Sequence, residues 1–198
     1  MSEPDPPPRD VAALPKAHLH LHFTGSLRIG TLADLAQKRG IPLPEAFTDE
    51  WPPQLHATDE RGWFRFQRLY DLARACVRGE ADLRRIVREA AEDDATEGSR
   101  WLELQVEPSS YAPHVGGITP ALEIILDEAT QATRATGTGV GVVVAASRIR
   151  HPTTVLRQRL ARVRCCDCAC RTGGSSASRC SAASGAWTAR AGSRPLAS

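Results

Sequence analysis

Lys16-Ala17-His18-Leu19-His20-Leu21-His22-Phe23 is the stretch on which the reading of the fold turns. Polar and apolar side chains alternate through it, and in an extended chain successive side chains project to opposite faces. A strand here carries His18, His20 and His22 on one face and Ala17, Leu19, Leu21 and Phe23 on the other. Residues two apart on a strand lie roughly 6.5–7 Å apart by the rise per residue, which lets two imidazoles converge on one cation. Zinc suits such a pair, because imidazole is a preferred zinc ligand. Three histidines that hydrogen-bond to neighbours along a polar strand face are the plainer reading of the same pattern.

Downstream the period lengthens. Leu32, Leu35 and Ala36 recur at helical spacing in Thr31–Arg39, and Gly40 stops that helix. Pro42, Pro44, Pro52 and Pro53 make the next segment a loop. A second helix is expected over about Trp63–Arg78, with Phe66, Leu69, Tyr70, Ala73, Cys76 and Val77 on one stripe. Its Trp63, Phe64 and Phe66 fit either a lid over an apolar pocket or the ordinary packing of a helix face. A third helix runs over about Ala81–Glu97, where Leu83, Ile86, Val87, Ala90 and Ala91 share a face before Gly98.

Trp101–Val106 reads as a second strand, bounded by Gly98 and Pro108. Thr119 suits an N-cap with Pro120 at the first helical position, ahead of a buried face of Leu122, Ile125, Leu126 and Ala129. Val140–Ala146 is a continuous apolar run, as in a strand covered on both faces. Strand, helices, strand, helix, strand argues for parallel β/α units joined by right-handed crossovers. A closed (β/α)8 barrel needs eight strands and typically about 250 residues. The expected class is therefore α/β with parallel strands, three of which cannot close a barrel.

The composition excludes several alternatives. With 198 residues, a net charge of +2, 24% charged and 41% hydrophobic side chains, the chain is no collagen, coiled coil or wholly disordered polymer. Its longest apolar run, 139–146, falls far short of the roughly 20 residues a membrane helix needs. Met1–Asp10 is acidic and proline-rich without the apolar core of a signal peptide, so a cytoplasmic protein with no membrane partner is expected. Residues 1–13 are expected to form an extended, disordered leader.

The sequence changes character near His151. From there to Ser198 stand eight arginines against the single acid Asp167, together with Cys165, Cys166, Cys168, Cys170 and Cys180. Cys165 and Cys168 form a Cys-x-x-Cys, but no second pair follows at zinc-finger distance. The arginines lack the interleaved aromatics of a single-strand-binding surface, so no nucleic-acid partner is expected. The strand–helix pattern also stops. The reading adopted is that residues 153–198 are no folded domain and come from a shift of coding frame, which in a GC-rich gene yields Arg, Ala, Gly, Ser and Cys without periodicity.

With its flanks, the opening strand reads Leu14-Pro15-Lys16-Ala17-His18-Leu19-His20-Leu21-His22-Phe23-Thr24-Gly25-Ser26-Leu27. This resembles the first-strand signature of the adenosine deaminase family of zinc hydrolases. The resemblance extends through the Trp63–Tyr70 aromatic helix and the strands Trp101–Val106 and Val140–Ala146, covering about residues 14–152. It implies an α/β fold made of the first three strands and helices of an incomplete (β/α)8 TIM-type barrel, Zn2+ as cofactor, His20 and His22 as two metal ligands, and a small purine nucleoside as substrate. The reaction implied is hydrolytic deamination of adenosine to inosine and ammonia. His18 stands where many members carry Glu and is expected to pack or to support the site without touching the metal.

Thr24 falls where classical members use an Asp to hold the sugar, so it is the candidate substrate-binding residue, with a hydroxyl and no negative charge. Gln105 replaces a common Arg. These departures leave adenine or a modified adenine nucleoside as the alternative substrate. The family's further metal-binding His, catalytic Glu, hydroxide-orienting His and late Asp ligand match no motif here, so no catalytic residue is assigned within the chain. His56, His114 and His151 read as loop or strand-end residues, and Glu103 as a structural ion-pairing group. An inactive fragment, or a module that binds metal or nucleic acid through its tail, is the alternative of another class. Translation of the gene's other two frames beyond codon 152 is expected to restore strands and a His-Ala-Gly-Glu or His-Gly-Gly-Glu motif; failure of both frames overturns the frameshift reading.

Overall fold

A computed structural model of the chain describes residues 10–11, 13–47, 60–146, 151, 153–154 and 156–157. Its strands are β1 (Lys16–His22), β2 (Ser99–Val106) and β3 (Gly139–Val144). Its helices are α1 (Ile29–Arg39), α2 (Glu60–Cys76), α3 (Glu80–Thr96), the single turn α4 (Ala112–Val115) and α5 (Ile118–Thr136). The three strands pair in parallel in the order β1-β2-β3, as right-handed β/α winding requires of neighbouring units.

Each helix forms where its apolar period lies. Leu32, Leu35 and Ala36 are buried on α1, which ends at Gly40 in the left-handed region (φ 63°), with the Ile41 N–H returning to the Ala36 carbonyl at 3.0 Å. Leu83, Ile86, Val87, Ala90 and Ala91 are buried on α3, and Leu122, Ile125 and Ala129 on α5. The expected cap of α5 is corrected: Thr119 lies inside the helix, and Gly117 at φ 146° precedes the first helical residue. A backbone angle open to glycine decided the start, where the side-chain preference pointed two residues later.

Charged groups fix the helices to one another. The Arg28 guanidinium reaches Asp93 at 2.6 Å and Glu92 at 3.1 Å, and the Thr31 hydroxyl donates to buried Glu89 at 2.5 Å, joining the start of α1 to α3. Arg88 and Arg84 reach the buried Glu128 of α5 at 3.0 and 3.3 Å. That carboxylate is both paired and hydrogen-bonded, as a buried charge must be.

The sheet has two unlike faces. Leu102, Leu104 and Val106 of β2 are fully buried under the helices, and Val140, Val142 and Val144 of β3 lie beside them in register. The opposite face carries Trp101, Glu103 and Gln105 beside Gly139, Gly141 and Val143. The expectation that β3 is covered on both faces is therefore corrected: Val143 is 37% exposed, because three strands leave the inner face open.

On that inner face the Trp101 indole lies across β3. A Cβ at Gly139 would stand 2.7 Å from Trp101 Cε3, and one at Gly141 2.6 Å from Trp101 Cζ2, so both positions need glycine for space. Gly141→Ala is expected to destabilise the chain by about 1–3 kcal/mol through overpacking. In a Trp101→Ala background the penalty should shrink; an undiminished penalty in urea denaturation followed by circular dichroism contradicts this contact.

Candidate metal and substrate site

β1 is not a regular strand. His18 pairs with Leu102 and Leu21 with Leu104, so β1 advances three residues where β2 advances two. The extra residue is a β-bulge, and His20 within it takes a left-handed backbone with φ 64°. No other non-glycine residue among the described ones has positive φ.

The bulge re-sorts the histidines. His18 and Leu21 share the helix-facing side with Leu102 and Leu104, whereas His22 pairs with Gln105 on the inner face. The expectation that His18, His20 and His22 share one face is corrected accordingly. The His18 Nδ1 lies 2.9 Å from Oδ1 of Asp94, a buried residue of α3, so His18 links the strand to the helix layer.

His20 and His22 do come together, with ring centroids 5.1 Å apart and planes inclined at 65°. Two imidazoles on one tetrahedral zinc, with Zn–N about 2.0–2.1 Å, hold their centroids about 5 Å apart. The pair thus fits two positions of such a site. Burial, and then the neighbouring His20, lowers the pKa of His22 and favours the neutral ring that a metal requires. Among the described residues no cluster of three or more His, Cys, Asp or Glu is placed to hold a metal, so the pair is an incomplete donor set.

Beside the pair opens a cavity of about 640 Å³, lined by His22, Thr24, Phe66, Tyr70, Gln105 and Tyr111 among others. Its walls are mostly apolar, as in pockets for planar organic ligands. Thr24 is buried, and its Oγ1 lies 2.7 Å from the Tyr111 hydroxyl, 87 residues away in sequence. Burial raises the Tyr111 phenol to about 12, so it stays protonated and able to donate. Trp63 and Phe66 of α2 line the cavity as a lid would, whereas Phe64 points away from it and is 66% exposed. Arg74 stacks over Tyr70 with its guanidinium carbon 4.9 Å from the ring centre.

Other candidates fall outside this group. Glu103 has no ion-pair partner among the described residues, which corrects its expected structural salt bridge. His114 is exposed on α4, and exposed His151 bonds Thr153 Oγ1 at 2.8 Å. His56 and the cysteines of the tail lie outside the described residues. Sequence reasoning missed Tyr111 and Ser110. The available signal was their place just after β2, at the strand end where parallel barrels carry their chemistry.

A parallel β/α sheet with paired imidazoles and a pocket at the C-terminal strand ends defines an incomplete amidohydrolase-type barrel. Solved structures agree: a zinc-bound amidohydrolase from Burkholderia ambifaria superposes with a TM-score of 0.62 at 25% identity, over 77% of this chain and 41% of that one. An adenine deaminase from Arthrobacter aurescens gives a TM-score of 0.61 at 25% identity, over 76% and 46%. The model of the family described as adenosine deaminase matches residues 15–167, and the chain belongs to that family.

The match runs past residue 152, where the resemblance was expected to end. Proteins named as adenosine/adenine deaminases match from Streptomyces virginiae (62% identity over 144 residues) and Streptomyces coelicolor (60% over 148). Each alignment covers 73% of this chain but only 42% and 43% of the relative, so the chain spans less than half of their length.

The left-handed His20 makes a prediction of opposite signs. A non-glycine residue there costs roughly 1–2 kcal/mol, so His20→Gly is expected to stabilise the chain by up to about 1 kcal/mol after the entropy that glycine adds to the unfolded state. His22→Gly, in the extended backbone of β1, is expected to lower stability by about 0.5–1 kcal/mol. Urea unfolding that shows the same sign for both contradicts the bulge.

Proposed function

We propose that this chain provides the first pair of metal ligands and a large part of the base pocket of a zinc-dependent purine deaminase. The observation that carries the reading is the 5.1 Å approach of the His20 and His22 rings beside an aromatic-walled cavity. When bound, zinc supplies the acidity that makes water nucleophilic near neutral pH. His20 and His22 would hold the metal through neutral nitrogens. Trp63, Phe66 and Tyr70 offer aromatic surface against which a purine ring can pack while water is displaced. Tyr111 and Thr24 stiffen the wall between the ends of β1 and β2.

The leading substrate is adenosine, converted to inosine and ammonia by loss of the exocyclic amine. A second reading, deamination of adenine or a modified adenine nucleoside, is favoured by Thr24. Its hydroxyl is engaged by Tyr111 and brings no charge to a sugar. The relatives named for both adenosine and adenine accord with either. No helix among the described residues is long and apolar enough to cross a membrane, and a cytoplasmic location belongs to the same proposal. So does the reading of residues 153–198 as an out-of-frame tail.

With two ligands and no assigned catalytic acid or base, the chain by itself is expected to bind zinc weakly and to release no ammonia from adenosine or adenine. Equilibrium dialysis should show zinc retained after deletion of residues 152–198 and lost, by about tenfold or more, in the His20→Ala/His22→Ala variant. Ammonia release by the unmodified chain contradicts its reading as an incomplete site. Undiminished zinc binding in the double variant contradicts the ligand assignment.

A further inference from the structure

Ser110 ends the short turn Pro108–Ser110 that follows β2, at the same end of the sheet as His22. Its neighbour Ser109 donates to Glu107 Oε1 at 3.0 Å. Ser110 lines the cavity, and its Oγ is buried without a hydrogen bond to any described residue. A buried hydroxyl left unpaired opposes folding, and such groups in native proteins call for an explanation.

Several polar groups of the lining are engaged, while Gln67 and Gln105 add further amide groups to it. Thr24 and Tyr111 satisfy each other, Glu107 accepts from Ser109, and Arg74 lies over Tyr70 and pairs with Asp71 at 3.0 Å. Ser110 Oγ is thus a buried, uncommitted donor and acceptor on a residue that lines a mostly apolar cavity. A hydroxyl can donate to an aza nitrogen or accept from a ring N–H. A purine whose amine-bearing carbon faces His20 and His22 turns its N3 and N9 edge toward other parts of the wall. In free adenine that edge carries both an acceptor and an N–H, whereas in a nucleoside the sugar replaces the N–H.

We infer that Ser110 is a specificity-determining residue of this cavity, its Oγ hydrogen-bonding the N3/N9 edge of an adenine-type base. The inference rests on the proposed function and deepens it: it gives the pocket a group that reads the base itself, where Thr24 has no charge to offer a sugar.

Isothermal titration of the full chain with adenine, adenosine, 3-deazaadenine and 9-methyladenine tests it. Ser110→Ala is expected to weaken adenine binding about tenfold, the size of one hydrogen bond. The loss should vanish or shrink for at least one of the two analogues, which remove the N3 acceptor and the N9 hydrogen respectively. Stability of the ligand-free variant should stay level or rise, because no hydrogen bond within the chain is lost. Ser110→Thr, which keeps the hydroxyl, should recover part of the affinity. Unchanged adenine affinity in Ser110→Ala, or an equal full loss on both analogues, overturns the inference while leaving the deaminase reading in place. Absence of binding of any purine to the unmodified chain overturns the deaminase reading and the inference with it.

Discussion

The candidate site depends on one irregular residue. A regular β1 would send His18 and His20 to the same face and leave Leu21 opposite them. The bulge at His20 instead gives three residues of β1 to two of β2, so His18 and Leu21 both enter the helix layer while the rings of His20 and His22 meet. The cost is a left-handed backbone at a histidine, a conformation that non-glycine residues adopt rarely and that persists where the surroundings enforce it. Here the enforcement is visible on both sides of the bulge. Lys16 and His18 are tied to Glu97 and Asp94, and the Phe23 N–H donates to the Gln105 carbonyl at 2.9 Å.

Everything that holds β1 in turn rests on the layer formed by α3, β2 and α5. β2 is the central strand, its Leu102, Leu104 and Val106 fully buried, and α3 and α5 cover that side with aliphatic stripes. The opposite side is built to a different rule. It faces the interior of the barrel that the family fold closes, so Trp101 lies over glycines and Leu19 is 63% exposed. An open inner face and two strand edges follow from three strands where closure takes eight.

What the sequence made legible was whatever depends on neighbours in the chain. The stripe Leu83, Ile86, Val87, Ala90 and Ala91 marked α3 to within a residue of its observed Glu80–Thr96, and Gly40 marked the end of α1. The three strands and their parallel order followed from period and connection. The His20–His22 pairing was also legible, though for a reason that needed correction: alternation suggested a shared face for three histidines, and a bulge delivered two. A bulge is decided by register against β2, some 80 residues away, which local alternation cannot report. The same distance hid the Thr24–Tyr111 bond, the His18–Asp94 pair and the buried hydroxyl of Ser110. Thr119 misled because capping chemistry favoured it, while Gly117 supplied the backbone angle that started α5.

His20 and His22 are the proposed zinc ligands, and the cysteine-rich segment after residue 164 is the competing source of zinc ligands in this chain. X-ray absorption at the zinc edge of the zinc-loaded full chain separates them most directly. The account predicts a shell of nitrogen at about 2.0–2.1 Å with the multiple scattering of imidazole, from His20 and His22. A shell of sulfur alone at about 2.3 Å, without imidazole scattering, would contradict it.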